Sequence, residues 1–370
     1  MHFSIPRKEL LTPLKMAVSV VEQRQVIPIL SNVLVSVEND VLSLIATDSE
    51  VEILCRVPLE SRISTEDDGD ITIPAKKFLE ICRSLPEQAI DVNTDGDRVV
   101  IRAGRSRFTL ATLPAEDFPS SSENPDMLTI SVPQRQLREL IAQTAFCAAV
   151  NDVRYYLNGL LFDLMPNQLA VVATDGHRLA LATTDFELGD SDPLQVIIPR
   201  KAIQELNRNL ENSDDEVKIT LDQTHVRFEI SENLTITSKL IDGRFPEYQG
   251  VLPRNPDKVV VALCDPLKQA LARVAILSNE KHKGVRLMVK PGTLSLSARN
   301  PEQEEAEEEL EIDYDGEAFE IGFNVTYLTD TLNAISTEEV ELCFSDPNSS
   351  CLVKPRHTEQ QRYVIMPMRL

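Results

Sequence analysis

Two landmarks return along this chain at one period, and the period is the length of a domain. The first is an apolar hairpin that closes on a polar triplet: Asn32-Val33-Leu34-Val35-Ser36-Val37 leads to Ala46-Thr47-Asp48, Asn158-Gly159-Leu160-Leu161-Phe162 to Ala173-Thr174-Asp175, and Gly284-Val285-Arg286-Leu287-Met288-Val289 to Ala298-Arg299-Asn300. The triplets recur at intervals of 127 and 125 residues. The second is a strand running straight into a helix, at Ile71 to Phe78, Val196 to Ile203 and Phe319 to Val325, whose junction residues Pro74, Pro199 and Asn324 are 125 apart both times. Two independent landmarks in step make coincidence a poor account, and the spacing is far longer than that of a solenoid repeat. A chain of 370 residues has room for three such units, each long enough to close a core of its own. Three copies of one domain describe a scaffold more readily than an enzyme.

Composition narrows the class. The start, Met1-His2-Phe3-Ser4-Ile5-Pro6-Arg7-Lys8, is mixed, and no stretch approaches the roughly 18 apolar residues that span a bilayer. A cytoplasmic protein without membrane contact is expected. The six cysteines lie apart, with no C-x-x-C pair and no histidine at ligand spacing, which predicts reduced buried thiols and neither zinc nor a disulfide framework. Neither a Walker A nor a G-x-G-x-x-G pattern occurs, so no nucleotide cofactor is implied, and no cofactor or metal is expected.

A net charge of −22 argues against nucleic acid until its distribution is considered. Amphipathic spacing predicts helices over 8–24, 76–85, 134–150, 200–210, 266–278 and 325–335, and all but the last are net basic. Helices of that sign lining one face of an acidic body suit a phosphate backbone held without reading its sequence. Each copy then runs helix, hairpin, strand and second helix, and further alternating strands such as Val217 to Leu221 and Val340 to Phe344, an α+β plan with antiparallel sheets buried on one face. In the third copy, Asp265 is the expected N-cap with Pro266 at the first helical position. Ser120 to Pro125 and Pro253 to Pro256 read as linkers, which sets domains at 1–126, 127–254 and 255–370.

Four strings carry a resemblance to a known family: Asp152-Val153-Arg154-Tyr155-Tyr156-Leu157-Asn158-Gly159, Thr174-Asp175-Gly176-His177-Arg178-Leu179, Asn300 to Glu308, and Met366-Pro367-Met368-Arg369-Leu370. In that order, end to end, the chain closely resembles the bacterial DNA polymerase III beta subunit family of sliding clamps. The resemblance implies three tandem clamp domains, each of two helices on antiparallel sheets, and a head-to-tail ring of two chains around double-stranded DNA. It implies as partners a second copy of the chain, the polymerase catalytic subunit, a clamp loader and other proteins with short docking motifs.

Carried over by the same resemblance, Arg24, Lys76, Lys77, Arg83, Asn151, Tyr155, Tyr156 and Lys201 are expected near DNA. A peptide pocket is expected from Leu157, Thr174, Gly176, His177, Arg178, Leu179, Pro246, Val251, Asn324, Tyr327, Ser350, Val364, Ile365, Met366, Pro367, Met368, Arg369 and Leu370. Its surroundings depart from the family pattern at His282, Gly250 and Asn348. The interface between copies is expected to set Arg105, Arg107, Phe108 and Leu110 against Ile276, Leu277, Glu304, Glu305, Glu307 and Glu308, opposite charges on the first and third domains.

Asp175 and His177 also have the look of a catalytic pair, an acid orienting a general base. However, Thr47-Asp48-Ser49 and Arg299-Asn300-Pro301 stand at the same place in the other copies, where Asx turns are expected. A hydrolase using His177 and Asp175, and a monomeric interaction scaffold with no role on DNA, remain the alternatives to a non-catalytic clamp.

Overall fold

Alternation builds strands such as Val41–Thr47, whereas Gly159–Met165 and Gln168–Thr174 are buried almost throughout, against the one-face expectation, and the 3.6-residue period builds the helices. In Val41–Thr47 the side chains of Leu42, Leu44 and Ala46 are buried between less buried neighbours, and in Arg7–Val18 the buried set is Leu10, Leu14, Ala17 and Val18. The computed structural model describes residues 1–22, 26–59, 68–119, 128–189, 191–253, 256–346 and 348–369. Arg24, Leu370, the 120–125 linker and residues 254–255 of the second linker lie outside the described residues.

The elements repeat a shorter pattern than the one read from the sequence. Strand, helix and three strands occur six times. The first is β1 (His2–Pro6), α1 (Arg7–Val18), β2 (Asn32–Glu38), β3 (Val41–Thr47) and β4 (Val51–Pro58). The second is β5 (Gly69–Pro74), α2 (Ala75–Ser84), β6 (Ala89–Asp95), β7 (Arg98–Ala103) and β8 (Ser106–Ala111). The third is β9 (Leu128–Pro133), α3 (Gln134–Thr144), β10 (Gly159–Met165), β11 (Gln168–Thr174) and β12 (Arg178–Asp185), and the fourth is β13 (Leu194–Pro199), α4 (Arg200–Asn209), β14 (Glu216–Leu221), β15 (His225–Ser231) and β16 (Leu234–Lys239). The fifth is β17 (Lys258–Leu263), α5 (Cys264–Ala275), β18 (Gly284–Lys290), β19 (Thr293–Arg299) and β20 (Glu305–Glu311), and the sixth is β21 (Phe319–Asn324), α6 (Val325–Asn333), β22 (Glu339–Phe344), β23 (Cys351–Pro355) and β24 (Gln361–Ile365). Each 125-residue repeat is therefore itself a doubled motif, which the sequence hides because the two halves share a pattern of burial more than a pattern of residues.

Two compact units result, Met1–Arg135 with Gln204–Leu240, and Gln136–Ile203 with Ile241–Leu370. The central repeat divides between them, its helices α3 and α4 crossing the division. The first unit holds a four-stranded sheet, β1-β6-β7-β8, and an eight-stranded one, β5-β2-β3-β4-β16-β15-β14-β9. The second holds an eight-stranded sheet, β13-β10-β11-β12-β24-β23-β22-β17, and a four-stranded one, β20-β19-β18-β21. All pairings are antiparallel, as expected, and the eight-stranded sheets are joined by β4 to β16 and by β12 to β24. Helix α1 packs on α2, β3 and β4, and α5 on α6, β19 and β20.

The helices are shorter at their ends than the amphipathic spacing predicts. Helix α1 stops at Val18, where Ser19 turns back to give its hydroxyl to Met16 O at 2.7 Å and to Glu205 at 2.7 Å. Helix α3 stops at Thr144, whose hydroxyl donates to Leu140 O at 2.7 Å. The expected cap of α5 is also corrected: Leu263, not Asp265, is the N-cap, and Asp265 and Pro266 lie inside the first turn. Because β17 runs directly into the helix, the Cys264 N–H is already taken by Glu338 O at 2.8 Å, and Asp265 instead faces Lys268 at 3.7 Å.

All six cysteines are free and buried, as predicted. Burial pushes the Cys55 and Cys82 thiols up to about 12, and the Cys343 thiol to about 11. The folded protein is accordingly expected to react with no Ellman's reagent at pH 8 and the denatured protein with six equivalents. Fast labelling of even one thiol in the folded state would contradict this packing.

Candidate partner-binding pocket and nucleic-acid interface

A cavity of about 220 Å³ opens in the second unit beside the β12–β24 junction. Its floor is the hydrophobic core itself, reaching the surface: Leu179, Phe245, Tyr248 and Val364 belong both to the cavity wall and to the core cluster around Leu161 and Val172, with Tyr156 packed against them. Met366 and Val251 stand at its rim, 44% and 38% exposed. Apolar side chains left in the open beside a concave apolar floor mark a docking site for a partly apolar ligand.

The Thr174-Asp175-Gly176-His177-Arg178 turn forms one wall. Asp175 Oδ1 accepts the N–H groups of His177 at 2.9 Å and Arg178 at 3.0 Å, the Asx turn expected at this strand end. Thr174 Oγ1 gives its proton to Arg178 O at 2.6 Å and accepts Gly176 N–H at 3.1 Å. Gly176 sits at φ 89°, a left-handed conformation that favours glycine, and the Arg154 guanidinium packs over it. Arg178 is the anchor beneath. Its guanidinium pairs with Asp330 at 2.7 Å and Asp175 at 3.2 Å, donates to Phe146 O at 2.9 Å, and lies 4.6 Å from the Tyr327 ring centroid. His177 stacks on Tyr327 with centroids 6.5 Å apart.

Asp175 is thus committed to two backbone amides and Arg178, and the imidazole to an aromatic face. That is a turn with a stacked rim residue, and it lacks the acid-to-imidazole orientation that a general base requires.

The opposite wall comes from 245–251 and 154–157. Tyr248 gives its hydroxyl to the buried Asp163 carboxylate at 2.8 Å, which holds the 3₁₀ turn Tyr248–Gly250 against the core, and burial raises the phenol to about 12. Arg154 pairs with Asp152 at 2.9 Å and reaches Asp175 O at 3.2 Å, tying the two walls together. That pairing holds the Asp152 carboxyl at about 2.

Of the residues expected in the pocket, Leu157, Thr174, Gly176, His177, Arg178, Leu179, Pro246, Val251, Val364 and Met366 line the cavity. Tyr327 supports it from behind, Asn324 caps α6 by accepting Thr326 N–H at 2.9 Å, and Ile365 is buried in β24. Ser350 and Pro367 do not line it, and Met368 and Arg369 border a separate cleft together with His282. Gly250 closes the 3₁₀ turn and Asn348 lies in an exposed turn, its N–H on Asp346 at 2.8 Å. Arg154, Phe245 and Tyr248 line the cavity without having been read as pocket residues, and Tyr156, expected near DNA, is part of the same wall.

The first unit shows what the pocket would be without its function. At the β4–β16 junction, Thr47, Ser49 and Glu52 occupy the places of Thr174, Gly176 and Leu179, and Lys239 N–H bonds Glu50 O at 2.9 Å as Met366 N–H bonds His177 O at 2.9 Å. Yet Glu50, Glu52, His225 and Lys239 make that hollow polar, and Ile29 and Leu30 cover Phe118, the counterpart of Phe245. Among the described residues, the same junction is thus apolar and open in the second unit and polar in the first.

Among the residues expected near DNA, Lys76, Lys77 and Arg83 are exposed on α2, and Lys201 is half-buried at the start of α4. Asn151 is exposed at φ 55°, and Tyr155 is 57% exposed beside Tyr156. Other helix cations are neutralised locally: Arg135 by Asp214 at 2.6 Å, Arg208 by Glu205 at 2.5 Å and Arg273 by Glu308 at 2.5 Å. The expected interface residues sit on the free edges of the four-stranded sheets, Arg107, Phe108 and Leu110 on β8 and Glu305, Glu307 and Glu308 on β20. Arg105 lies in the turn before β8 and Glu304 just before β20, where it caps the Asn300 loop. Ile276 is 77% exposed after α5, and Leu277 is half-buried.

Six strand-helix-strand motifs, apolar pocket and basic helices together define a three-domain DNA-clamp protein. Models of the N-terminal, central and C-terminal domains of the DNA polymerase III beta subunit match residues 1–122, 131–247 and 249–369. The beta sliding clamps of Pseudomonas aeruginosa PAO1 and Escherichia coli K12 are 51% and 46% identical, over the full length of both chains in each case. The crystal structure of the Pseudomonas aeruginosa subunit is 50% identical and superposes with a TM-score of 0.96 over all of both chains, and the Caulobacter crescentus subunit is 42% identical with a TM-score of 0.93. A Pseudomonas aeruginosa clamp bound to griselimycin is 51% identical with a TM-score of 0.95. The chain belongs to the DNA polymerase III beta subunit family, the beta sliding clamps. No helix among the described residues is long and apolar enough to cross a membrane.

Proposed function

We propose that two copies of this chain close head to tail into a ring around duplex DNA, slide along it, and tether the replicative polymerase, which makes the chain a cytoplasmic processivity factor without catalytic activity. The sheet edges carry this reading. Both eight-stranded sheets form by pairing the last strand of one motif with the last strand of another, β4 with β16 and β12 with β24. Among the described residues, β8 and β20 are the last strands that keep an open edge, and the charges on or beside them are opposite, Arg105 and Arg107 against Glu304, Glu305 and Glu307. Open edges invite pairing, and a heterologous contact between these two closes after two chains. The three clamp domains of each chain span 1–126, 127–254 and 255–370, six per ring. Lys76, Lys77, Arg83, Lys201, Asn151 and Tyr155 face the DNA, where few, water-bridged phosphate contacts permit sliding because the ring itself prevents escape. Polymerase, clamp loader and other partners seat short motifs in the apolar pocket, whose Met and Leu walls adapt to several sequences.

The test is topological. Loaded by a clamp loader onto nicked circular DNA, the protein is expected to co-elute with the circle at 150 mM salt and to be released once the circle is linearised. Persistent retention on linear DNA with free ends, or tight sequence-selective binding without loading, would overturn the clamp reading.

A further inference from the structure

The last residues of the chain lead out of the apolar pocket into a second, larger recess. Met366 N–H is held by His177 O at 2.9 Å, and two residues on Met368 N–H is held by Gly322 O at 2.9 Å, so the tail is pinned across β21. Beyond it lies a cleft of about 670 Å³ bordered by Met368, Arg369, His282, Arg286, Arg299 and Glu305 among others. Strand register explains the cluster. Arg286 on β18 stands opposite Ser297 on β19 and Gly322 on β21, and Arg299 follows two places along β19, so both arginines project from the face of the sheet turned away from the helices. Asn279 Oδ1 accepts the His282 backbone N–H at 3.0 Å, which fixes the turn that carries His282 to the border of the cleft. Glu320 engages Arg286 and Gln303 engages Arg299 at 3.3 Å, while Glu305 is the carboxylate at the border.

Three arginines and a histidine border this hollow against two carboxylates, Glu305 and the Glu320 that pairs with Arg286, which leaves it net basic on a chain of net charge −22. We propose that this cleft binds carboxylates flanking the apolar core of a peptide docked in the neighbouring pocket, an inference that rests on the pocket reading above. The tail spans only three residues from Met366 to Arg369, at most about 10 Å. Aspartate or glutamate within about three or four residues of the apolar core therefore reaches Arg286, Arg299 and Arg369. Guanidinium forks donate two N–H groups to such a carboxylate bidentately, and partners are ranked by the charge beside their motif as well as by its apolar side chains.

The experiment compares three fluorescent peptides with one apolar clamp-binding core: neutral Ser/Gln flanks, three glutamates before the core, and three glutamates after it. They are titrated against the full chain and against Arg286→Gln/Arg299→Gln, two exposed positions, with dimer mass checked in parallel. One acidic peptide is expected to bind the unaltered protein about three- to tenfold more tightly than the neutral one at low salt, an advantage that fades as salt screens it. In the variant that advantage should vanish while the neutral peptide binds as before. Equal binding of all three to the unaltered protein, or an advantage that survives the double substitution, overturns the proposal. Failure of the neutral peptide to bind at all overturns the pocket reading and this inference with it.

Discussion

Met366→Lys, which copies Lys239 from the closed first junction into the open second one, is expected to weaken binding of a neutral clamp-binding peptide by about 30- to 100-fold. The side chain is 44% exposed at the rim, so the fold tolerates the change, but a docked peptide would bury an ammonium against Leu179, Val251 and Val364. Losing one apolar contact that a docked peptide buries costs about 2 kcal/mol, and stranding a charge there adds to it. Deleting residues 366–370 should do at least as much damage and leave the dimer intact, because the interface residues lie on other elements. Fluorescence titration with dimer mass in parallel checks both; a lysine variant with unchanged affinity would show that the partners dock elsewhere.

That pocket was half legible in the sequence. The Asx turn of the Thr174 to Leu179 wall could be read because it returns as Thr47-Asp48-Ser49, whereas its place in a peptide pocket, like that of Pro246 and Val251, came from the family resemblance alone. Phe245 and Tyr248 could not, since they lie in an aperiodic Pro-rich segment whose burial depends on what covers it. The first junction makes the point: Phe118 matches Phe245 in sequence, but Ile29 and Leu30 pack against Phe118, whereas Phe245 lines an open cavity beside Tyr156. The basic cleft was hidden for another reason. Arg286 and Arg299 are 13 apart along the chain and meet only through the β18–β19 register, and a one-residue slip of either strand would part them. Helix ends were missed where side-chain hydroxyls, at Ser19 and Thr144, took over carbonyls that the amphipathic pattern assigns to further helix.

Ile276→Ala/Leu277→Ala is expected to convert the dimer of about 83 kDa, twice the 41.4 kDa chain, into monomers at micromolar concentration. Ile276 is 77% exposed in the single chain, so truncation costs folding little, whereas deleting an aliphatic group buried in an interface costs about 2–5 kcal/mol and the ring contains two such interfaces. The ionic part is tested by reversal. Arg105→Glu/Arg107→Glu sets acid against acid when two such chains meet, and Glu305→Arg/Glu307→Arg sets base against base, so each variant alone should sediment as a weakened dimer or a monomer. Mixed in equal amounts, they should dimerise again. In the mixed ring one interface opposes the new glutamates to the new arginines and the other opposes the original arginines to the original glutamates, so both are attractive; only a head-to-tail contact between β8 and β20 has that property. If each reversed chain dimerises by itself as well as the unaltered protein does, or if mixing restores nothing, the two open edges do not meet.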